Sequence, residues 1–378
     1  MIMEQRIIEP GENYKGFDDW IKKTGCKKIL LVCDGAIWYQ KEFIAHLEEI
    51  NRLSVTIIAF RGFQPNPLYE NILDGVKLCR AEQCDAIIAV GGGSAMDVAK
   101  CIKLYVNLPG DGQNGAWLEE RYTPNDIPFL AMPTTAGTGS EATRYAVIYY
   151  NGEKQSITSE SFIPDTVLMD PNCLITLPPY QRKATMMDAL CHAIESFWSV
   201  NSTDESKGYS KAAIQGVMAN MEGYLANTEE GRAGMLRAAN MAGKAINITQ
   251  TTACHAMCYK ITSLFKSAHG HAAALCNRVL FPWMVENIDK CIDPRGEEYL
   301  KQTLDEIGQT MGCKNAQTGA DKLVDLFEKL ELEIPAATEA QFEELKNSVN
   351  PIRLKNHPIA LDVETINNLY HKILNGAE

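Results

Sequence analysis

The run DAIIAVGGGSAMDVAK, residues 85–100, decides the fold. Its first part, Asp85–Val90, is an apolar, β-branched stretch of strand length, too short for a typical helix. Gly91, Gly92 and Gly93 follow at once, and Ser94 opens a helical pattern that carries Asp97 and reaches Lys100. Consecutive glycines at a strand-to-helix turn remove every Cβ from the path of a ligand, so backbone N–H groups can approach it closely. The helix start adds unsatisfied N–H groups and the positive end of its dipole, a combination suited to a phosphate. The turn is neither GxGxxG nor the GK[ST] loop that binds nucleoside triphosphates.

Upstream, Lys28–Cys33 (KILLVC) and Ser54–Phe60 (SVTIIAF) are further strand-length runs, separated by amphipathic stretches at Tyr39–Ile50 and Tyr69–Arg80. Strands alternating with helices of this length predict βαβ units and a parallel sheet. Downstream, Pro128–Ala131 reads as a strand. Ala146–Tyr150 and Gln155–Thr158 flank an Asn151-Gly152 hairpin turn and extend this β-rich half. A second loop, PTTAGTGSE (133–141), also leaves a short strand and is dense in glycines and hydroxyls, Thr134, Thr135 and Thr138 among them. Two such loops at strand C-termini suit a dinucleotide at the carboxyl edge of the sheet. Asp34, ending the first strand, is placed to accept hydrogen bonds from a ribose and to repel the extra phosphate of NADP.

Beyond Asp170 the texture changes. Strand-like runs almost vanish, and Tyr180–Ser199, Lys207–Leu225, Gly231–Asn247 and His269–Asn287 have helical composition and spacing. For a chain of 378 residues, a prior of roughly 150 residues per domain allows two or three. The expectation is an α/β Rossmann-like dinucleotide-binding domain over 1–178 and an all-α metal-binding and substrate domain over 179–378.

Hydrophobic residues at 46% and charged residues at 22% describe an ordinary globular protein. The net charge of −12 argues against a nucleic-acid or anionic-membrane partner, since both want basic patches. No apolar run is long enough to span a bilayer, and the first residues lack a secretory pattern. Twelve scattered cysteines without a CxxC read as reduced thiols, hence a cytoplasmic protein.

In the helical half, Asp188 and His192 stand four apart, on one face of a helix, and His255 and His269 follow. One carboxylate and three imidazoles suit Fe²⁺, Zn²⁺ or another divalent first-row metal. His271 diverges from His269 by about 200° around a helix, so both cannot readily hold one ion. It is read as lining the site or as a proton relay.

GGGSAMDVAK (91–100), PTTAGTGSE (133–141), DALCHAIE (188–195) and the His255–His269 spacing with its following Gly270 together resemble the iron-containing (group III) alcohol dehydrogenases, over almost the whole chain. The resemblance implies an N-terminal Rossmann-like domain and a C-terminal helical domain, the dehydroquinate synthase-like architecture. It implies Asp188, His192, His255 and His269 as metal ligands. It implies Gly91, Gly92, Gly93, Ser94, Asp97, Thr134, Thr135 and Thr138 as dinucleotide contacts, with Lys154 on the nicotinamide side. Asp34 matches a position associated with NAD(H) over NADP(H), and a homodimer or larger homo-oligomer is the family default.

Two departures stand out. Many members carry a further His where this chain has Tyr259, which makes Tyr259 a candidate substitute proton donor beside His271. The Gly-rich stretch usual between the third and fourth ligands reads Thr262–Lys266 here, adding a cation near the metal. Within the family, CHAMCYKITSLFKSAHGHAAAL and GTGSEATRYAVIY look most like phosphonoacetaldehyde reductases. Arg144, Lys260 and Lys266 could then supply charge-assisted hydrogen bonds to a phosphonate. The expected reaction is metal-assisted hydride transfer between a nicotinamide and a small aldehyde. A general short-chain alcohol dehydrogenase and a non-catalytic nucleotide-binding subunit are the alternatives. The four-ligand set speaks against a polyol dehydrogenase or a sugar-phosphate cyclase of the dehydroquinate synthase type.

Overall fold

The computed structural model describes residues 5–53, 55–118, 124–349 and 354–376. The chain divides into two compact units, Met1–Thr135 with Gly139–Leu177, and Ala136–Thr138 with Pro178–Glu378.

The first unit is built on a parallel sheet. Its strands are β1 (Arg6–Ile8), β2 (Lys28–Cys33), β3 (Thr56–Phe60), β4 (Ala86–Gly91), β5 (Phe129–Pro133) and, after a hairpin, β8 (Thr166–Leu168), in the order β1-β8-β5-β4-β2-β3. Every residue of β4 and β5 is buried, because helices cover both faces and a parallel strand so placed becomes a continuous apolar run. α1 (Lys15–Thr24) and α2 (Lys41–Leu53) send Phe17, Trp20 and Phe43 into a core with Ile29, Leu31 and Ile88. α3 (Tyr69–Glu82) and α4 (Gly93–Tyr105) meet where Gly75 faces the Ile102 side chain.

From β2 the chain moves outward to β3, then returns to β4 and continues the other way to β5 and β8. The order therefore reverses between β2 and β4, and ligands of such sheets bind outside the strand ends at this switch point. Asp34 follows β2 there, and Gly91 ends β4.

β6 (Tyr145–Tyr150) and β7 (Glu153–Thr158) do form an antiparallel hairpin around Asn151-Gly152, both with positive φ, but as a separate two-stranded sheet. The main sheet is extended instead by β8 and β1, three-residue strands too short to leave a sequence pattern.

The second unit is helical, as expected. It comprises α5 (Pro179–Trp198), α6 (Asp204–Leu225), α7 (Glu229–Thr249), α8 (Ala253–Phe265), α9 (His269–Glu286), α10 (Glu297–Thr310), α11 (Ala316–Lys329), α12 (Glu339–Ser348) and a last helix, Val363–Ile373. Caps set several starts: Pro179 occupies the first turn of α5, and the Thr203 and Thr228 side chains accept N–H bonds at the starts of α6 and α7. Both helices thus begin before the apolar periodicity suggests. Among the described residues, no helix is long and apolar enough to cross a membrane.

Under the second Gly/Thr loop, the buried Lys100 amine binds the Ser140 carbonyl (2.6 Å), Ser140 Oγ (2.9 Å), Thr143 Oγ1 (3.1 Å) and the Tyr145 carbonyl (2.8 Å). Burial pushes its pKa down from 10.5 to about 8, against the pull of Asp97 and Glu141. Between those values an unfolded chain keeps a proton that the native state has lost, so this group makes native stability rise with pH. The stability difference between wild type and Lys100→Met should therefore grow from about pH 8 upward, at no more than about 1.4 kcal/mol per pH unit. Urea melts across that range measure it, and a pH-independent difference contradicts this account.

Candidate functional site

At the switch point the Asp34 carboxylate accepts the Ala36 N–H (2.8 Å), capping the turn Gly35–Tyr39, and lies 3.4 Å from the Gly92 nitrogen. A Cβ on Gly91 would fall 2.6 Å from Asp34 Oδ2, so only glycine lets the two strand ends approach this closely. Gly92 is the N-cap of α4 and supplies no side-chain cap, while Gly93 and Ser94 open the helix. Such a first turn presents N–H donors and a positive dipole end. The second loop runs alongside: Thr134 N–H donates to the Gly91 carbonyl (3.0 Å), and the Thr135 methyl would lie 3.4 Å from a Cβ on Gly92.

Other residues tied to the dinucleotide by resemblance have different settings. Asp97 is partly buried and accepts from Ser140 Oγ (3.1 Å) and Val147 N–H (3.0 Å), bracing the stretch after the second loop. Lys154 pairs with Tyr149 across the hairpin, and its charge favours ionised Asp97. Thr138 falls, with Ala136 and Gly137, in the helical unit.

In that unit α5 carries Asp188 and His192 one turn apart, α8 carries His255 in its first turn, and His269 is the first residue of α9. One ligand atom from each lies within 4.8 Å of all the others. Asp188 Oδ1 is 3.5 Å from His255 Nε2, 4.0 Å from His192 Nδ1 and 4.0 Å from His269 Nε2. Asp188 Oδ1, His192 Nδ1 and His255 Nε2 are buried without a hydrogen-bond partner among the described residues. Unsatisfied buried polar atoms are rare and demand an explanation. Converging donor atoms of one carboxylate and three imidazoles fit a divalent cation. Burial works to raise the Asp188 carboxyl, but His192, His269 and His255 outweigh it and hold it well below the usual range. Burial pushes His192 down to about 4, keeping it neutral and able to ligate.

Glu195, inside the DALCHAIE motif but given no role by sequence, organises this cluster. Its buried carboxylate sits at the N-terminus of α8, accepting from Thr252 Oγ1 (2.6 Å), Cys254 N–H (2.8 Å) and Thr252 N–H (3.2 Å), and it binds His255 Nδ1. Nδ1 of His255 is thereby the protonated nitrogen, and Nε2 is left to face Asp188. Such an outer partner fixes a ligand's tautomer and orientation. The signal was present in the sequence, since Glu195 lies seven residues after Asp188, on the same helical face.

His271 is turned away from the cluster: its Nδ1 lies 3.0 Å from the Tyr180 hydroxyl and its Nε2 2.8 Å from the Glu333 carbonyl. Tyr259 stacks on His269 with ring centroids 5.5 Å apart. Cys258 Sγ lies 3.7 Å from His269 Nδ1. A cavity of about 650 Å³ is lined by Tyr180, Phe265, Lys266, Ser267, His271 and Glu333, among others. Lys266 is thus placed beside it. Lys260 pairs with Glu344 (2.5 Å), and Arg144 pairs with Glu160 (2.9 Å) and meets the Tyr145 hydroxyl; neither lines the cavity.

Gly270 brings α9 onto α5. A Cβ there would lie 2.1 Å from the Ala184 carbonyl oxygen and 2.5 Å from Asp188 Cβ. Gly270→Ala must push the helices apart, at about 1–3 kcal/mol of stability. Zn²⁺ affinity should fall at least about tenfold, in the range seen when support around ligands is lost. Chelator competition and urea melts check both, and unchanged Zn²⁺ affinity would contradict the assigned packing.

The comparisons with known proteins agree with these elements. Residues 5–171 match the model for "Iron-containing alcohol dehydrogenase", and 183–374 that for "Fe-containing alcohol dehydrogenase family, C-terminal". Alcohol dehydrogenase 4 of Schizosaccharomyces pombe is 31% identical over 322 residues, covering 83% of this chain and 72% of that one. Phosphonoacetaldehyde reductase of Streptomyces viridochromogenes is 31% identical over 244 residues, 62% of each chain. The crystal structure of sulfoacetaldehyde reductase from Bifidobacterium kashiwanohense in complex with NAD⁺ superposes with a TM-score of 0.86. It is 25% identical, covering 99% of this chain and 98% of that one. With both halves matched, this chain belongs to the iron-containing alcohol dehydrogenase family.

Proposed function

We propose that this enzyme reduces a small anionic aldehyde, phosphonoacetaldehyde, to its alcohol with NADH, using Fe²⁺ or another divalent metal held by Asp188, His192, His255 and His269. The observation that carries the metal assignment is the convergence of four ligand atoms within 4.8 Å, three of which, on Asp188, His192 and His255, are buried and reach no hydrogen-bond partner among the described residues. When bound, the metal supplies Lewis-acid polarisation of a carbonyl oxygen and the nicotinamide supplies hydride. Gly91–Ser94 and Thr134–Thr135 orient the dinucleotide by its phosphates, with Asp34 on a ribose and Lys154 towards the nicotinamide. Positioning of this kind is itself a large part of rate enhancement.

The anionic substrate is favoured by Lys266 and Ser267, a cation and a hydroxyl on the wall of the cavity, and by the two aldehyde reductases among the similar proteins. Glu331 and Glu333 share that wall, so Lys266 must outweigh them. A general short-chain alcohol dehydrogenase is the second reading, favoured by the likeness to alcohol dehydrogenase 4. The proton reaches the product from Tyr259, whose ring stacks on His269, rather than from His271, which is turned away from the cluster. All twelve cysteines are free thiols, as suits the cytoplasm, and the protein acts as a homodimer or larger assembly.

His255→Ala should abolish metal retention and turnover, and full activity of that variant without metal would refute the ligand set. With Fe²⁺-loaded enzyme, NADH consumption should show a higher kcat/KM for phosphonoacetaldehyde than for acetaldehyde. Lys266→Met should erase that preference, at about 1.5–3 kcal/mol in kcat/KM, the range for a hydrogen bond to a charged group. Equal use of both aldehydes by wild type would leave the general alcohol dehydrogenase.

A further inference from the structure

The four residues proposed as ligands are not held alike. The side chains of Asp188, His192 and His255 are 3%, 7% and 1% exposed, whereas that of His269 is 35% exposed. His255 has the Glu195 carboxylate behind it, while His269 has the Cys258 thiol 3.7 Å from its Nδ1 and the Tyr259 ring stacked on its face. His269 also follows a three-residue turn, Lys266–Ala268, that begins with Lys266 in the left-handed region at φ 53°.

The residues on either side of His269 both meet α5. Ala268 N–H donates to the Tyr180 hydroxyl (2.9 Å). That hydroxyl meets His271 Nδ1 at 3.0 Å, and His271 Nε2 lies 2.8 Å from the Glu333 carbonyl. A carbonyl only accepts, so Nε2 carries the proton; in the neutral ring Nδ1 is then an acceptor for the Tyr180 O–H. The chain of bonds runs in one direction, from the Ala268 amide through Tyr180 and His271 to Glu333. Tyr180 stands in the first turn of α5, the helix that carries Asp188 and His192. Two residues on from Ala268, Gly270 packs against Asp188 itself.

We propose that Tyr180 and His271 are positioning residues that latch the start of α9 to α5 and so hold His269 at the metal. The latch gives His271 a role other than proton transfer, because both of its ring nitrogens are engaged in it. It requires a hydroxyl at 180 and, at 271, a side chain that accepts from that hydroxyl and donates to a carbonyl.

This inference rests on His269 being a ligand, so the experiment separates the two. Full-length protein is loaded with Zn²⁺, and release into a chromophoric chelator is followed for wild type and for Tyr180→Phe, His271→Ala, His271→Gln and His269→Ala. Tyr180→Phe and His271→Ala should each release Zn²⁺ about tenfold faster, as loss of an outer partner does. His271→Gln, whose amide can both accept and donate, should restore slow release, which a purely space-filling role would not produce. Two variants broken at different ends of the latch keep the result independent of a folding defect in either. Wild-type release from both Tyr180→Phe and His271→Ala overturns the latch, and so does a His271→Gln variant that releases Zn²⁺ as fast as His271→Ala. If His269→Ala itself retains Zn²⁺ as wild type does, the ligand assignment fails, and the latch with it.

Discussion

A single buried carboxylate, Glu195, is the constraint on which the helical unit turns. It projects from α5 into the first turn of α8, where Cys254 and Thr252 N–H groups and the Thr252 hydroxyl close around it. The positive end of a helix is among the few protein environments that can hold an anion without water. The same carboxylate then receives His255 Nδ1–H. Burial acts to raise Glu195, yet His255 and the Thr252 hydroxyl keep it ionised, down to about 2, and the pair raises His255 to about 9. One side chain thus caps α8, joins it to α5 and fixes which nitrogen of His255 faces Asp188.

The remaining donors are brought in by close packing. His192 stacks on His255 with ring centroids 4.3 Å apart, and Gly270 lets α9 rest on the backbone of α5. A divalent cation that displaced the extra proton of His255 would lie among Asp188, Glu195 and three neutral imidazoles and leave the buried charge balanced, the condition under which buried ions are tolerated. In the α/β unit the corresponding constraint is steric. Gly91 and Asp34 occupy neighbouring strand ends so closely that a methyl group between them is excluded, and the glycine turn follows from that approach.

Where a signal was local, the sequence carried it. β2 matches Lys28–Cys33 to the residue, because an apolar run bounded by polar residues needs no distant partner to be recognised. The spacing of Asp188 and His192 is likewise a property of one helix, and the family motifs supplied His255 and His269. What escaped were features made by chain returns. β1 and β8 are strands only because they pair with each other and β8 with β5. A glutamate on a helix is ordinarily solvated, and nothing in the order of residues says that α8 begins against Glu195. Tyr180 opens the helical stretch read over Tyr180–Ser199, which names no partner for it, and the two bonds of His271 reach residues 91 and 62 positions away. Arg144 and Lys260 looked available as cations in one dimension, but each stands beside a carboxylate from elsewhere in the chain.

The partnerless atoms of Asp188, His192 and His255 also tie this protein's persistence to its mineral environment. A cation among them would satisfy donor atoms that no other group of the described residues reaches. One that binds the native chain alone adds stability by mass action, about 2.7 kcal/mol when its free concentration is a hundred times the dissociation constant. Differences of that size change steady-state abundance in a cell several-fold. Iron starvation would then deplete the polypeptide as well as its turnover, through proteolysis of the loosened apoprotein, and replenishment would require synthesis as well as reloading.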